Sequence, residues 1–125
     1  MKKFIYILIG IIVLAGIIYV IIAPPRVVAS KYDSFATCIK NSGALFYGAF
    51  WCPHCQAQKA MFGSSAHLLP YVECSNPDGQ SQNALCNSKG IAEYPTWQFA
   101  NSTTTTPGVL ELSDLAQKTN CPLPQ

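Results

Sequence analysis

The sequence predicts an α/β domain, a mixed sheet with flanking helices, preceded by one transmembrane helix. Three observations predict it. An uncharged apolar stretch, Phe4 to Ala23, opens the chain. Beyond it, helical and strand patterns follow in the order helix, strand, helix, strand, helix, strand hairpin, helix. Cys52-Pro53-His54-Cys55 stands where a strand pattern gives way to a helical one. A strand–helix–strand crossover makes a parallel pair and a closing hairpin adds antiparallel strands, so the sheet is mixed.

The apolar stretch holds about 20 residues, and at about 1.5 Å per residue it matches the roughly 30 Å hydrocarbon core. Lys2 and Lys3 precede it and Pro24-Pro25 end it. The two lysines and the amino terminus favour an N-terminus inside, though Arg26 and Lys31 on the far side make the bias modest. A cleaved signal peptide is the competing reading. Its apolar region usually runs to about 7–15 residues, shorter than this one, although Val27-Val28-Ala29 offers small residues for cleavage. Either reading exports the remainder. The expected organisation is a transmembrane anchor over 1–23, a linker over 24–31 and one domain over 32–125. The expected placement is membrane-anchored and single-pass, with the catalytic domain extracytoplasmic.

Tyr32 to Asn41 reads as a helix, with Phe35, Cys38 and Ile39 on one face and Gly43 past its end. Ala44 to Phe50 is a short apolar run suited to a buried strand. Pro53 fits the first position of the next helix, where a missing N–H does no harm. That helix runs through Phe62 and pauses at Gly63, and Ser64 or Ser65 caps a short segment ending before Pro70. Tyr71 to Cys74 is the second strand, Asn76-Pro77-Asp78-Gly79 a turn, and Gln80 to Lys89 a short polar helix stopped by Gly90. Thr96 to Ala100 alternates as a strand and pairs with a last strand, Val109 to Leu112, across the loop Asn101 to Gly108. Ser113 then caps a final helix, Asp114 to Thr119. His67 reads as a surface residue.

The domain after the anchor has about 95 residues, small for a self-sufficient core, so covalent ties would help it. From Lys31 onward five lysines face six acids. The exported part is therefore near neutral and carries no basic, aromatic-striped face for nucleic acid. Six cysteines, Cys38, Cys52, Cys55, Cys74, Cys86 and Cys121, all fall in this part. An even count in an oxidising compartment points to disulfides, but spacing alone does not choose the pairing.

Cys52 and Cys55 carry the chemistry. A C-x-x-C at a helix start turns both sulfurs toward one place. The free N–H groups and partial positive charge of the helix N-terminus stabilise a thiolate. Cys52 is expected to be the exposed nucleophile and Cys55, one turn in, the buried resolving thiol. Pro53 and His54 modulate the pair: an imidazole beside the thiolate stabilises it further, which makes the disulfide a stronger oxidant. Two readings compete. One is an inert Cys52–Cys55 disulfide. The other is a four-thiolate zinc site of Cys52, Cys55, Cys74 and Cys86, whose second half would be an untypical C-x11-C.

These residues resemble a known family. AFWCPHCQAQKAMFG, then YVEC, a later cysteine and IAEYPTW, together resemble the thioredoxin-like domain fused to bacterial and plant vitamin K epoxide reductase homologues. The resemblance covers roughly Tyr32 to Asn120. It implies a thioredoxin-like fold with Cys52 and Cys55 as the active pair and Pro95 as the cis-proline facing them. Tyr94 would offer its backbone to an incoming substrate strand, and Trp51 would pack beside the site or serve as a plain core residue. Cys74 and Cys86 match a second cysteine pair of the family, either a structural bridge or an electron relay. If those four pair so, Cys38 and Cys121 remain. One bridge would then tie the first helix to the C-terminal tail, the alternative being two free thiols.

Two departures from the family matter. No integral reductase domain accompanies this one, so a separate vitamin K epoxide reductase-like or DsbB-like membrane quinone reductase would have to reoxidise it. Thioredoxin's buried Asp, six residues ahead of the first active cysteine, is here Phe46. Proton handling at Cys55 therefore falls to another group, Glu73 or water, unless Glu73 is a plain surface carboxylate. The same C-P-H-C occurs in a periplasmic oxidase whose potential is about −120 mV, against about −270 mV for thioredoxin. The expected function is an extracytoplasmic thiol–disulfide oxidoreductase of cysteine-containing exported proteins, an oxidase or isomerase, with no cofactor and no metal. The alternatives are an anchored reductase of the cytochrome-maturation type and a disulfide- or zinc-stapled binding module.

Overall fold

A computed structural model describes 2–22 and 29–125 of the chain. Helix α1, Lys2–Ile22, occupies the apolar stretch, and its described side chains are exposed. The expected single-pass, membrane-anchored placement is corrected here: among the described residues no helix is long and apolar enough to cross a membrane. Most of the linker expected over 24–31, and Val27 and Val28 of the candidate cleavage site, lie outside the described residues.

From Ser30 onward the elements are α2 (Asp33–Asn41), β1 (Leu45–Gly48), α3 (Pro53–Ala60), a 3-10 turn (Gly63–Leu68), β2 (Tyr71–Glu73), α4 (Ala84–Ser88), β3 (Thr96–Gln98), β4 (Thr105–Pro107) and α5 (Leu112–Thr119). The strands form one sheet in the order β2-β1-β3-β4. β1 and β2 are parallel, with Phe46 opposite Tyr71 and Gly48 opposite Glu73. β1 and β3 are antiparallel, with Phe46 opposite Trp97, and β4 closes the hairpin on β3. A parallel pair plus an antiparallel hairpin is the mixed sheet expected, and with its helices it fits a thioredoxin-like fold.

Successive residues of a strand face opposite sides, and Phe46 and Tyr47 each feed a separate apolar cluster. On one side Phe46 joins Phe35 and Ile39 of α2, Phe62, Trp97, Phe99 and Leu115 of α5, with Cys52 and Cys55 in the same cluster. Phe46 stacks on Trp97 at 4.7 Å and Phe35 on Phe62 at 5.7 Å between ring centroids. Offset aromatic pairs of this kind add to simple area burial. On the other side Tyr47 packs with Ile91, Cys74 and Cys86.

Three elements differ from the sequence expectation. The last strand is Thr105–Pro107, not Val109 to Leu112. The apolar segment is drawn off the sheet because the buried Gln58 amide clasps Leu110, accepting from its N–H at 2.8 Å and donating to its carbonyl at 3.0 Å. The polar helix shrinks to Ala84–Ser88, where Asn83 caps it by accepting from the Cys86 N–H at 3.0 Å. The final helix starts at Leu112, one residue before Ser113, so Ser113 is not its cap. By contrast the pause at Gly63 is present, with a φ of +55° that favours glycine.

Candidate functional site

Cys52 is the N-cap of α3, and Pro53 occupies the first helical position. The strand β1 delivers the chain to this corner, and proline's fixed φ starts the helix at once. In this position the Cys52 sulfur accepts from the Cys55 N–H at 3.4 Å. Its thiol also reaches the Tyr94 carbonyl at 3.6 Å. Both cysteines are free thiols and both are buried, so Cys52 is not the exposed thiol expected: the Tyr94 carbonyl stands against its sulfur. The expected Cys52–Cys55 disulfide is therefore absent from this structure, which holds the dithiol form of the pair.

The two thiols are unequal. Cys52 lies at the positive end of the α3 dipole with a backbone donor on its sulfur. Cys55 is wholly buried. Burial, then the hydrogen bond with Cys52, push its thiol up to about 12, against smaller opposing pulls from the Ala49 backbone and Lys59. Cys55 is thus held protonated across the physiological range.

Tyr94 and Pro95 form the opposite wall, joined by a cis peptide bond. Pro95 is buried, and the Tyr94 hydroxyl hydrogen-bonds Gln82. Burial, followed by the negative charge of Glu73 and the nearby thiols, pushes that hydroxyl up from its ordinary range. Trp51 is exposed at the rim, set edge-on to Tyr94 at 6.1 Å and anchored by its indole N–H to Ser75 Oγ at 3.0 Å. His54 is exposed on the first turn of α3. His67 is also exposed, away from the pair on the 3-10 turn.

Cys74 bridges Cys86, tying the end of β2 to α4, with Cα atoms 5.5 Å apart. The four-thiolate zinc set loses two of its members to this bridge. Cys38 bridges Cys121 with Cα atoms 5.8 Å apart. That bridge joins α2 to the turn after α5, two helices that pack against each other.

Glu73 is not a free surface carboxylate. It is half-buried, and Oε1 accepts from the Phe50 and Ser75 N–H groups at 3.2 and 2.9 Å. It thereby pins the loop entering Cys52 to the end of β2. Its Oε2 accepts from the Tyr71 hydroxyl at 2.9 Å. Tyr71 is a residue that sequence reasoning missed. Its hydroxyl is pushed well above the usual range by burial, then by the Glu73 hydrogen bond and charge. Gln58 was missed too. Beyond its clasp on Leu110 it accepts from the Trp97 indole N–H at 3.3 Å, bracing α3 one turn behind Cys55. One signal was available for Tyr71: a glycine, Gly48, inside an otherwise bulky strand, which marks a close approach.

No protein-family model matches the chain. The thiol-disulfide oxidoreductase LTO1 of Arabidopsis thaliana is 40% identical over 92 residues, covering 70% of this chain and 24% of that protein. The protein disulfide-isomerase A2 of Homo sapiens is 38% identical over 58 residues, covering 43% of this chain and 11% of that protein. The chain thus spans only a minor part of each relative's length. Both names describe thiol–disulfide chemistry, and both likenesses support a thioredoxin-like domain.

Proposed function

We propose that this chain is a thiol–disulfide oxidoreductase that works through Cys52 and Cys55 and is biased toward oxidising its clients. The observation that carries the reading is the asymmetry of the two thiols within one helical turn. Both are buried, but one is the N-cap of the helix, against the Tyr94 carbonyl, and the other lies within its first turn and is held protonated. The 40% identity to a thiol-disulfide oxidoreductase supports it. The clients are cysteine-containing exported proteins, and the electrons pass to a vitamin K epoxide reductase-like or DsbB-like quinone reductase, as for the family the motifs resemble. The two further disulfides suit a thiol-oxidising compartment.

In the forward direction a client thiolate attacks Cys52 Sγ. The Cys52–Cys55 bond breaks, and Cys55 leaves with its electron pair and takes up a proton. A second client thiolate attacks the client sulfur of the mixed disulfide, so Cys52 leaves as a thiolate and the client gains a disulfide. For reoxidation Cys52 attacks a partner disulfide. Cys55 then loses its proton, attacks Cys52 Sγ and restores the bond, and the partner leaves with both electrons. The Tyr94 backbone and the Trp51 ring line the approach to Cys52, where a client strand docks. His54, on the exposed first turn, supplies the oxidising bias by stabilising the thiolate form. The cycle uses no bound cofactor.

Trapping tests this reading. A Cys55→Ala variant expressed in cells should accumulate mixed disulfides through Cys52, visible as reducible adducts on a gel. A Cys52→Ala variant should form none. A Cys55→Ala protein that carries no adducts would sink the exchange cycle.

A further inference from the structure

We propose that Tyr71 is the proton carrier of the buried thiol, linking Cys55 to the Glu73 carboxylate during each turn of the exchange cycle on which this inference rests. The juxtaposition follows from Gly48. A β carbon at that position would lie 2.8 Å from Cys55 Sγ, 2.8 Å from the Tyr71 ring and 3.4 Å from the Tyr71 hydroxyl oxygen. The thiol and the phenol therefore both overhang the bare backbone of Gly48. Their separation cannot exceed the two distances taken together, a gap closed by direct approach or by a single water. On its far side the Tyr71 hydroxyl already donates to Glu73 Oε2 at 2.9 Å. The thiol, the phenol and the carboxylate thus form one line from the core to the half-buried end of β2.

The surroundings leave Cys55 few other outlets. Phe46, opposite Tyr71 in the parallel pair, packs its ring on Tyr71 at 5.2 Å and accepts no proton. From α3, Lys59 sets its ammonium 3.4 Å from the centre of the Tyr71 ring, and its charge favours an anion at Cys55 without accepting the proton. His54, also on α3, is exposed on its first turn, and Cys52, the N-cap, is the reaction partner itself. Tyr94, before β3, turns its hydroxyl to Gln82. Glu73, on β2, is the carboxylate at the end of the line.

The proton step balances. When Cys55 must attack Cys52 Sγ, its S–H bond breaks and the proton passes to the Tyr71 oxygen. The Tyr71 O–H proton moves in the same step to Glu73 Oε2. The Cys55 electron pair then forms the Cys52–Cys55 bond, and the partner sulfur leaves with the pair from the bond that breaks. In the oxidising direction the same path runs backward and neutralises the departing Cys55 thiolate.

The test reacts the reduced full chain with dithiobisnitrobenzoate in a stopped-flow instrument. Attack by Cys52 releases the first coloured thiolate, and attack by Cys55 on the mixed disulfide releases the second. The proposal expects Tyr71→Phe to leave the first phase within about twofold, and both Tyr71→Phe and Glu73→Gln to slow the second relative to the first at least about tenfold at neutral pH. The readout that a structural role would not move is the pH profile. Wild type should be nearly flat between about pH 6 and 8. The variants should climb about tenfold per pH unit, because solvent must then deprotonate a thiol whose pKa lies far above. A second phase unchanged in both variants, or slowed with the wild-type pH profile, overturns the proposal. A wild-type protein that releases only one equivalent overturns the exchange cycle itself and this proposal with it.

Discussion

Cys55 is the residue on which the energetics of the site turn. Its folded-state pKa is raised to about 12 by burial, so the native dithiol holds a proton that the unfolded chain releases nearer 9. A raised pKa gives stability that is complete below the unfolded value and is lost as pH rises through the folded one. The reduced protein should therefore lose stability from about pH 9 to about pH 12. The oxidised protein, whose Cys55 sulfur is in a bond and does not titrate, should lack that loss. Melting temperatures of both forms across this range measure the difference. Parallel curves would contradict the buried, protonated Cys55. Gly48 belongs to the same argument, since only a residue without a β carbon lets the Cys55 sulfur and the Tyr71 ring approach as they do.

The elements show how a buried amide replaces a strand. Gln58 satisfies both backbone groups of Leu110 and the Trp97 indole, and so it holds the segment before α5 against the back of α3. Replacing it with leucine keeps the volume but leaves those groups without their partner, at about 1–3 kcal/mol for a buried unsatisfied group. Gln58→Leu should cost about 3 kcal/mol in total, read from the urea midpoint of unfolding, and a loss below about 1 kcal/mol would contradict the clasp. This contact also explains what could be read in advance. The starts of α2 and α3, the strands at Phe46 and Tyr71 and the pause at Gly63 follow local signals: periodicity, an N1 proline, a short apolar run, a glycine. The last strand does not. Thr105–Pro107 is polar, while Val109 to Leu112 has the apolar look of a strand, and the decision lay with a side chain 52 positions away. The Tyr71–Glu73 pair was hidden for the same reason: YVEC announces a strand and says nothing of what lies across Gly48.

At the scale of the molecule, one sheet packs behind Cys52 and Cys55 of α3, with the Tyr94–Pro95 wall opposite. Two disulfides fasten the periphery: Cys38–Cys121 holds α2 to the end of α5, and Cys74–Cys86 holds the end of β2 to α4. A closed loop as long as the first adds roughly 4 kcal/mol in the chain-entropy account, a useful contribution to a small core. With the frame held this way, the Cys52/Cys55 pair is left as the cysteines free for the proposed exchange. The expected membrane span does not form part of this frame, for among the described residues no helix is long and apolar enough to cross a membrane. The measurement that bears most directly on the central claim is the equilibrium of the Cys52/Cys55 pair with glutathione in the otherwise intact protein. The account predicts reversible two-electron exchange at a potential closer to about −120 mV than to about −270 mV. A pair that does not equilibrate, or one that settles near the reducing value, would contradict it.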